Sequence, residues 1–340
     1  MTTLREIAEL AKVSITTVSK VLNGDCSKVS TETQQRIERI AREQHYVSNR
    51  IAKSLVEKKS HIIGILLPTI NNPVFAEMAS GVINLCETAG YSTMLFNTEE
   101  REDREISYLN MLISYHADGV VVVGNERTAV ANMNRLNHHG TPYVMLDTAN
   151  AQVDYRVSVD DFSGVYHMVK QLVQFGHRKI AFISGQGYIS DEDNPRLSGY
   201  RQALTDHHIA VDPLLIEMGN YDAITGYTKT IRLLSRRLGI TAIVCGNDLI
   251  ATGAYRALRE NHLLIPEDVS VVGYDHIFVA DIMDPPLSTV KAPVYDMGVA
   301  AASMLMKRID RKPVPNPHIV FEPTLMMRNS VSVPKAREEE

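Results

Sequence analysis

The residues best placed to do chemistry at the start of this 340-residue chain are cations. Residues 1–60 hold eleven Lys and Arg (Arg5, Lys12, Lys20, Lys28, Arg36, Arg39, Arg42, Arg50, Lys53, Lys58 and Lys59) against seven acids. That leaves the segment at +4 in a chain of formal charge −5, so the rest carries about −9. A basic head on an acidic body fits a chain that meets nucleic-acid phosphate with one end only. Bond-breaking chemistry has no comparable signal. Cys26, Cys86 and Cys245 are few and widely spaced, with no C-x-x-C or Cys/His cluster to hold zinc, and read as free thiols in a reducing cytoplasm. The twelve His are scattered. No G-x-S-x-G elbow, phosphate loop or dinucleotide fingerprint is present, and SGQGYI at Ser184 to Ile189 lacks the fingerprint's third glycine. The chain reads as a non-enzyme without a cofactor or metal.

The elements that would position those cations are short helices. Leu4, Ile7, Ala8 and Ala11 recur at helical spacing, as do Thr17, Val18, Val21 and Leu22. Thr3 with Glu6 makes a capping box, and Ser14 stands where a second helix would start. Neither helix buries enough alone. A third, beginning at Ser30 or Thr31 and carrying Ile37, Ile40 and Ala41, would close the core in a helix-turn-helix plan. A short helix from Arg50 to Leu55 would follow, capped by Asn49 and too short to be stable unless DNA or a second subunit holds it.

From His61 the pattern changes to apolar runs alternating with amphipathic stretches. HIIGILLP, YSTMLFN, DGVVVVG and TPYVMLD alternate with helices at Phe75 to Ala89, Ile106 to Tyr115 and Ala129 to Leu136. YRVSVDD opens a second series. RKIAFISG, LLIEMG, ITAIVCGN and VSVVGYD alternate with helices at Gly164 to Phe175, Leu197 to Leu204, Gly226 to Leu238 and Ile250 to Glu260. PLSTVKAP and HIVFEPTLMMR flank a last helix, Tyr295 to Ile309, and would cross between the halves. Such repetition predicts two doubly wound parallel sheets, with a ligand cleft where the carboxyl ends of their strands face each other. No apolar run reaches the roughly 20 residues of a membrane span, the N-terminus has no signal-peptide core, and the tail after Ser332 reads as mobile.

TLREIAELAKVSITTVSKVLNG, VSTETQQRI, NRIAKSL, GILLPTINNPVF, FGHRKIAFISG, RLSGYRQAL, AIVCGNDLIATGAYRAL, VSVVGYD and PPLSTV, in this order, resemble the lactose/galactose repressor family of bacterial transcription regulators. The resemblance spans nearly the whole chain. It implies a helix-turn-helix head (1–47), a hinge (48–60) and a two-lobed, periplasmic-binding-protein-like sensor (61–333). One lobe would take about 61–160 and 291–320, the other about 161–290 and 321–333. It also implies a cytoplasmic repressor, a homodimer or dimer of dimers, that binds a pseudo-palindromic operator on double-stranded DNA under the control of a small molecule, with no membrane partner.

By that resemblance Ile15, Thr16 and Lys20 face base edges, while Ser14, Thr17, Ser19 and Asn23 support or touch the backbone. Lys can donate to guanine, Thr can bond several bases, and an Ile methyl can meet a thymine methyl. Lys20 departs from the Arg or His of relatives, and Val47 from their proline. Asn49, Ala52, Lys53 and Leu55 fall in the hinge, whose leucine wedges into a base step in relatives. For the effector, the resemblance points to Asn71, Asn72, Phe75, Asp147, Arg196, Tyr221, Asn247 and Asp275, with His276 and Asp248 behind them. Carboxylates, a guanidinium, amides and aromatic faces make a sugar-like set. Alternatives are a purine, or a phosphorylated carrier protein suggested by VYDMG at Val294 to Gly298, although the next helix lacks basic docking residues. A sugar receptor without DNA function is the remaining reading.

Overall fold

The computed structural model describes residues 2–22, 24–46, 59–124, 127–148, 150–185 and 194–335, and separates into two units, Met1–Ser60 and His61–Glu340. The described part of the first unit is three helices: α1 (Leu4–Ala11), α2 (Ile15–Leu22) and α3 (Thr31–Glu43). Thr3 and Glu6 close the expected capping box, and Ser30 caps α3. The turn between α1 and α2 is made by Lys12, which takes the left-handed conformation at φ 53°. Ile7, Val18 and Ile37 are wholly buried at the centre with Ala8, Ala11, Val21 and Ala41 around them. Each large side chain removed from water contributes about 1.5–3 kcal/mol, so this shared core, and not any one helix alone, favours the three-helix arrangement.

The second unit contains two six-stranded sheets. The first sheet is parallel throughout, in the order β11-β5-β4-β3-β1-β2. Its strands are β1 (Ile62–Leu67), β2 (Ser92–Asn97), β3 (Gly119–Val123), β4 (Tyr143–Leu146), β5 (Arg156–Val159) and β11 (His318–Phe321). The second sheet has the order β12-β10-β9-β8-β6-β7. It comprises β6 (Ile180–Gly185), β7 (Ile216–Gly219), β8 (Ala242–Cys245), β9 (Ser270–Asp275), β10 (Ser288–Lys291) and β12 (Thr324–Met326), the last an antiparallel edge strand. β1, β3 and β8 are almost wholly apolar and buried, as strands covered on both faces must be.

HIVFEPTLMMR, read above as one stretch, is two strands in two sheets. Pro323 cannot donate to a ladder, and the chain changes sheets at Glu322 and Pro323. Among the described residues the chain passes between the sheets three times: after β5, after β10 and between β11 and β12.

The helices of the first lobe are α4 (Pro73–Thr88), α5 (Glu102–Ser114), α6 (Ala129–His138) and α12 (Val294–Ile309). The second carries α7 (Asp161–Gln174), α8 (Pro195–Asp206), α9 (Ala223–Ser235), α10 (Asp248–Glu260) and the short α11 (Val279–Ile282). Several begin two or three residues before their apolar periodicity does. Asn72, Asp160, Asn194, Asp222 and Asn247 each accept a bond from a backbone N–H of the first turn. Capping by Asn or Asp therefore fixes these helix starts more sharply than the apolar stripe does. Where α4 crosses α12, a Cβ on Gly81 would lie 2.2 Å from the Tyr295 carbonyl and one on Gly298 2.1 Å from that of Met78. Only glycine permits that approach.

Candidate functional site

On the head, the exposed side of α2 carries the residues named from the sequence. Ser14 caps the helix, its Oγ accepting from the Thr17 N–H at 3.1 Å and lying 2.8 Å from Thr17 Oγ1. Val18 and Val21 turn inward, Val13 packs partly against the same core, and Ile15 is 48% exposed, so Ile15 is not a core residue. Thr16 and Lys20 are exposed, whereas Thr17 and Ser19 are half-buried. Lys20 Nζ lies 3.9 Å from Asp25 Oδ2, a pair between exposed groups that a stronger anion can displace at little cost. This face offers hydroxyls, a methyl-bearing side chain and an ammonium to a groove. Asn23 and the hinge residues Asn49, Ala52, Lys53 and Leu55 lie outside the described residues.

In the core, a cleft of about 610 Å³ opens at the carboxyl ends of both sheets, and all eight residues named for the effector line it. The order of each sheet reverses at β1/β3 and at β6/β8, the topological switch points at which such sheets bind ligands. Asn71, Asn72 and Phe75 come from the loop after β1 and the start of α4. Asp147 follows β4 at φ 64°, and Asp275 ends β9 at φ 100°. Both aspartates hold a left-handed backbone, a conformation that costs energy for most side chains and recurs at binding sites.

Arg196, from α8, is the centre of the second lobe's side of the cleft. Its Nε donates to Asp161 Oδ1 at 3.1 Å, one Nη to the Gly246 carbonyl, and the other lies 3.7 Å from Asp275 Oδ1. The guanidinium sits over the Tyr274 ring at 3.9 Å and 5.7 Å from the centre of Tyr221. Burial works against its charge, but the pull of Asp161 and Asp275 prevails and holds its pKa well above the ordinary arginine value. Burial also pushes the Asp275 carboxyl well above the ordinary carboxylate range, with Arg196 opposing and the negative charges of Asp248, Asp161 and Asp147 adding to the rise.

Tyr221 lies flat against Gly185, where a Cβ would come within 2.2 Å of its ring, and its hydroxyl is 3.4 Å from Ser184 Oγ. Asn247 is partly committed to the fold. Its Oδ1 accepts from the Ile250 N–H at 2.9 Å and its Nδ2 donates to the Tyr221 carbonyl at 3.4 Å. Asn72 likewise gives its Oδ1 to the Val74 N–H.

Asp248 and His276 stand behind the cleft wall rather than on it. Asp248 is fully buried and accepts from Thr289 Oγ1 at 2.6 Å and from the Ile277 N–H at 2.8 Å, fixing the segment after Asp275. Burial raises its pKa to about 7, while those hydrogen bonds pull the other way. His276 Nε2 faces Arg328 at 2.8 Å and Asp281 at 3.4 Å.

Sequence reasoning missed Asp161, Asp222, Glu99, Glu100 and Arg127, which also line the cleft. The carboxyl end of YRVSVDD pointed to Asp161, but its pairing with Arg196 spans 35 residues and has no local sign. Among the described residues no group of three or more His, Cys, Asp or Glu is arranged to hold a metal.

A helix-turn-helix head with a basic excess, joined to a two-lobed core with a ligand-sized cleft at its switch points, defines a DNA-binding regulator that answers to a small molecule. Residues 3–49 match the profile of bacterial regulatory proteins of the lacI family, and residues 169–331 that of the periplasmic binding protein-like domain. The chain is 33% identical over 332 residues to the ribose operon repressor of Haemophilus influenzae, covering 97% of this chain and 99% of that one. Among solved structures it is similar to the lac repressor dimer bound to operator and the anti-inducer ONPF, with TM-score 0.87 and 26% identity over 97% of this chain and 99% of that one. It is also similar to the transcriptional regulator CelR–cellobiose complex, with TM-score 0.73 and 29% identity over 97% and 100% of the two chains. The chain belongs to the lacI family: it is a transcriptional regulator that binds DNA sequence-specifically.

Proposed function

We propose that this chain represses transcription from a pseudo-palindromic operator as a homodimer or a dimer of dimers, and that a sugar or sugar derivative in the cleft sets its grip on DNA. Residues 1–47 read the operator through Ile15, Thr16 and Lys20, with Ser14, Thr17, Ser19 and Asn23 on the backbone. Residues 48–60, including Asn49, Ala52, Lys53 and Leu55, form a hinge that folds on DNA. Residues 61–333 sense the effector, one lobe taking about 61–160 and 291–320 and the other about 161–290 and 321–333. Closure of the cleft about the three crossovers rotates the first lobes of the two subunits and respaces their hinges.

The observation that carries this reading is that eight residues, spread from Asn71 to Asp275, meet on one cleft. Carboxylates, amides and the rings of Phe75 and Tyr221 suit vicinal hydroxyls and a sugar face. The similar chains named for ribose and cellobiose favour the same class. A chain that reads an operator works where the chromosome is, which supports a cytoplasmic location; among the described residues no helix is long and apolar enough to cross a membrane.

The test has two halves. A gel-shift selection from a palindromic operator library, in rising salt, must return a preferred sequence; indiscriminate binding removes the roles given to Ile15, Thr16 and Lys20. A thermal-shift screen against sugars, sugar phosphates and nucleosides must find a ligand that raises Tm, since a molecule that binds only the native state stabilises it. Repeating the operator titration with that ligand gives the direction of the switch.

A further inference from the structure

We infer that the cleft takes an uncharged polyhydroxy ligand and rejects the phosphate and carboxylate derivatives of the same sugar. The inference rests on reading the cleft as the effector site and adds the sign of charge that the site tolerates. Among the described residues six carboxylates line it, those of Glu99, Glu100, Asp147, Asp161, Asp222 and Asp275, against the two guanidiniums of Arg127 and Arg196. Arg104 offsets one of them, its Nη1 lying 2.7 Å from Glu99 Oε2. The lining would stay negative even with a proton on buried Asp275. Arg196 is engaged already by Asp161, Asp275, the Gly246 carbonyl and the Tyr274 ring. A phosphate that recruited it would strand a buried carboxylate without its counter-charge.

The helix starts give an independent argument. Proteins commonly bind phosphate on the unfilled N–H groups of a helix N-terminus. Five of the helix ends that border this cleft have a first-turn N–H filled by a side chain. Another, α12, starts there at Val294 without such a cap, but Pro293 brings no N–H and that of Val294 donates to the Ala292 carbonyl at 2.9 Å. Asn72 caps α4 at 3.1 Å, Asp160 caps α7 at 3.0 Å, and Asn194 caps α8 at 3.0 and 3.2 Å. Asp222 caps α9 at 2.7 Å and Asn247 caps α10 at 2.9 Å. Two of these caps are themselves negatively charged side chains. The start of α6, beside exposed Arg127, has no side-chain cap, but buried Glu105 holds Thr128 Oγ1 at 2.8 Å and Asn132 Nδ2 at 2.7 Å there. Hydroxyls are matched to this lining, because they donate to carboxylates at no cost in net charge and accept from amides.

Isothermal titration of the full chain with matched pairs tests the inference: ribose and ribose 5-phosphate, glucose with glucose 6-phosphate and glucuronate, galactose and galacturonate, with cellobiose alongside. We expect a neutral member to bind and its charged derivative to bind at least tenfold more weakly in low salt, with the gap shrinking as salt rises. Glu99→Gln combined with Glu100→Gln should narrow the gap, and Arg127→Gln should widen it. A charged derivative that binds as tightly as its parent overturns the inference and leaves the cleft an effector site. A gap that ignores salt and both variants is steric and overturns it equally. If no compound in any pair binds, the reading of the cleft as a sugar site falls, and this inference with it.

Discussion

Arg196→Met would remove the guanidinium that holds the second lobe's side of the cleft together while keeping a long side chain in its place. The side chains of Asp161 and Asp275 are only 12% and 6% exposed, so neither can turn to water for compensation. Breaking a buried ion pair from one side costs about 3–5 kcal/mol. Losing the stack on Tyr274 at 3.9 Å adds about 1–2 kcal/mol. A loss of that size is a large share of the roughly 5–15 kcal/mol that keeps a domain folded.

The variant should also acquire a pH signature. Without the guanidinium, burial lifts the Asp275 carboxyl still further above its unfolded value. A carboxyl raised on folding stabilises most below its unfolded pKa and loses that contribution as pH rises through the folded one. The gap to the parent should therefore be smallest on the acid side and widen as pH rises through the interval between the two folded Asp275 values. Urea midpoints across a pH series measure this. In an Asp161→Asn, Asp275→Asn background the same substitution should cost far less, giving a coupling well above that of independent sites. A gap that stays the same across the whole pH series, or costs that simply add across the cycle, would refute the account of Arg196.

Three further outcomes are expected. Lys20→Ala should weaken operator binding by about 1–3 kcal/mol per half-site and relax selection at one base pair, read by anisotropy with single-base operator variants. The melting of the head should hardly change, because the partner of Lys20 is exposed Asp25 at 3.9 Å. Asp248, whose pKa is near 7, makes the native fold less stable as pH rises from about 4 to 7, by a contribution on the order of 4 kcal/mol. Asp248→Asn, which can still accept from Ile277 and donate to Thr289, should flatten that slope in urea titrations; an unchanged slope would place its origin elsewhere. Gly298→Ala should cost about 1–3 kcal/mol or more, because its Cβ would meet the Met78 carbonyl at 2.1 Å, and calorimetry should record the lowered Tm.

Much of this architecture was legible because it is written locally. Thr3 and Glu6 announced the first helix, and buried runs such as GVVVV announced strands covered on both faces. The runs ending at Asp147 and Asp275 put carboxylates where parallel sheets bind ligands. What escaped was either non-local or had two uses. The link from Asp161 through Arg196 to Asp275 joins three distant segments, and no periodicity encodes it. Asn72 and Asn247 were read as ligand groups, yet each spends its carbonyl oxygen on a helix start. Those same caps moved the observed starts of α4 and α10 ahead of their apolar stripes. Pro323 was the available sign that the last apolar stretch is two strands, since a proline within such a run argues against a continuous one.

The threefold passage of the chain between its sheets has a cost in time. The first sheet has five of its strands by Val159, but its edge strand ends at Phe321, and α12, which covers one of its faces, begins only at Val294. At about 5–20 residues per second, a ribosome needs on the order of 10 s to bridge the interval between Val159 and Val294. Throughout that wait a nearly complete sheet stands with apolar surface bare, so this half of the nascent protein is the one expected to attract chaperones.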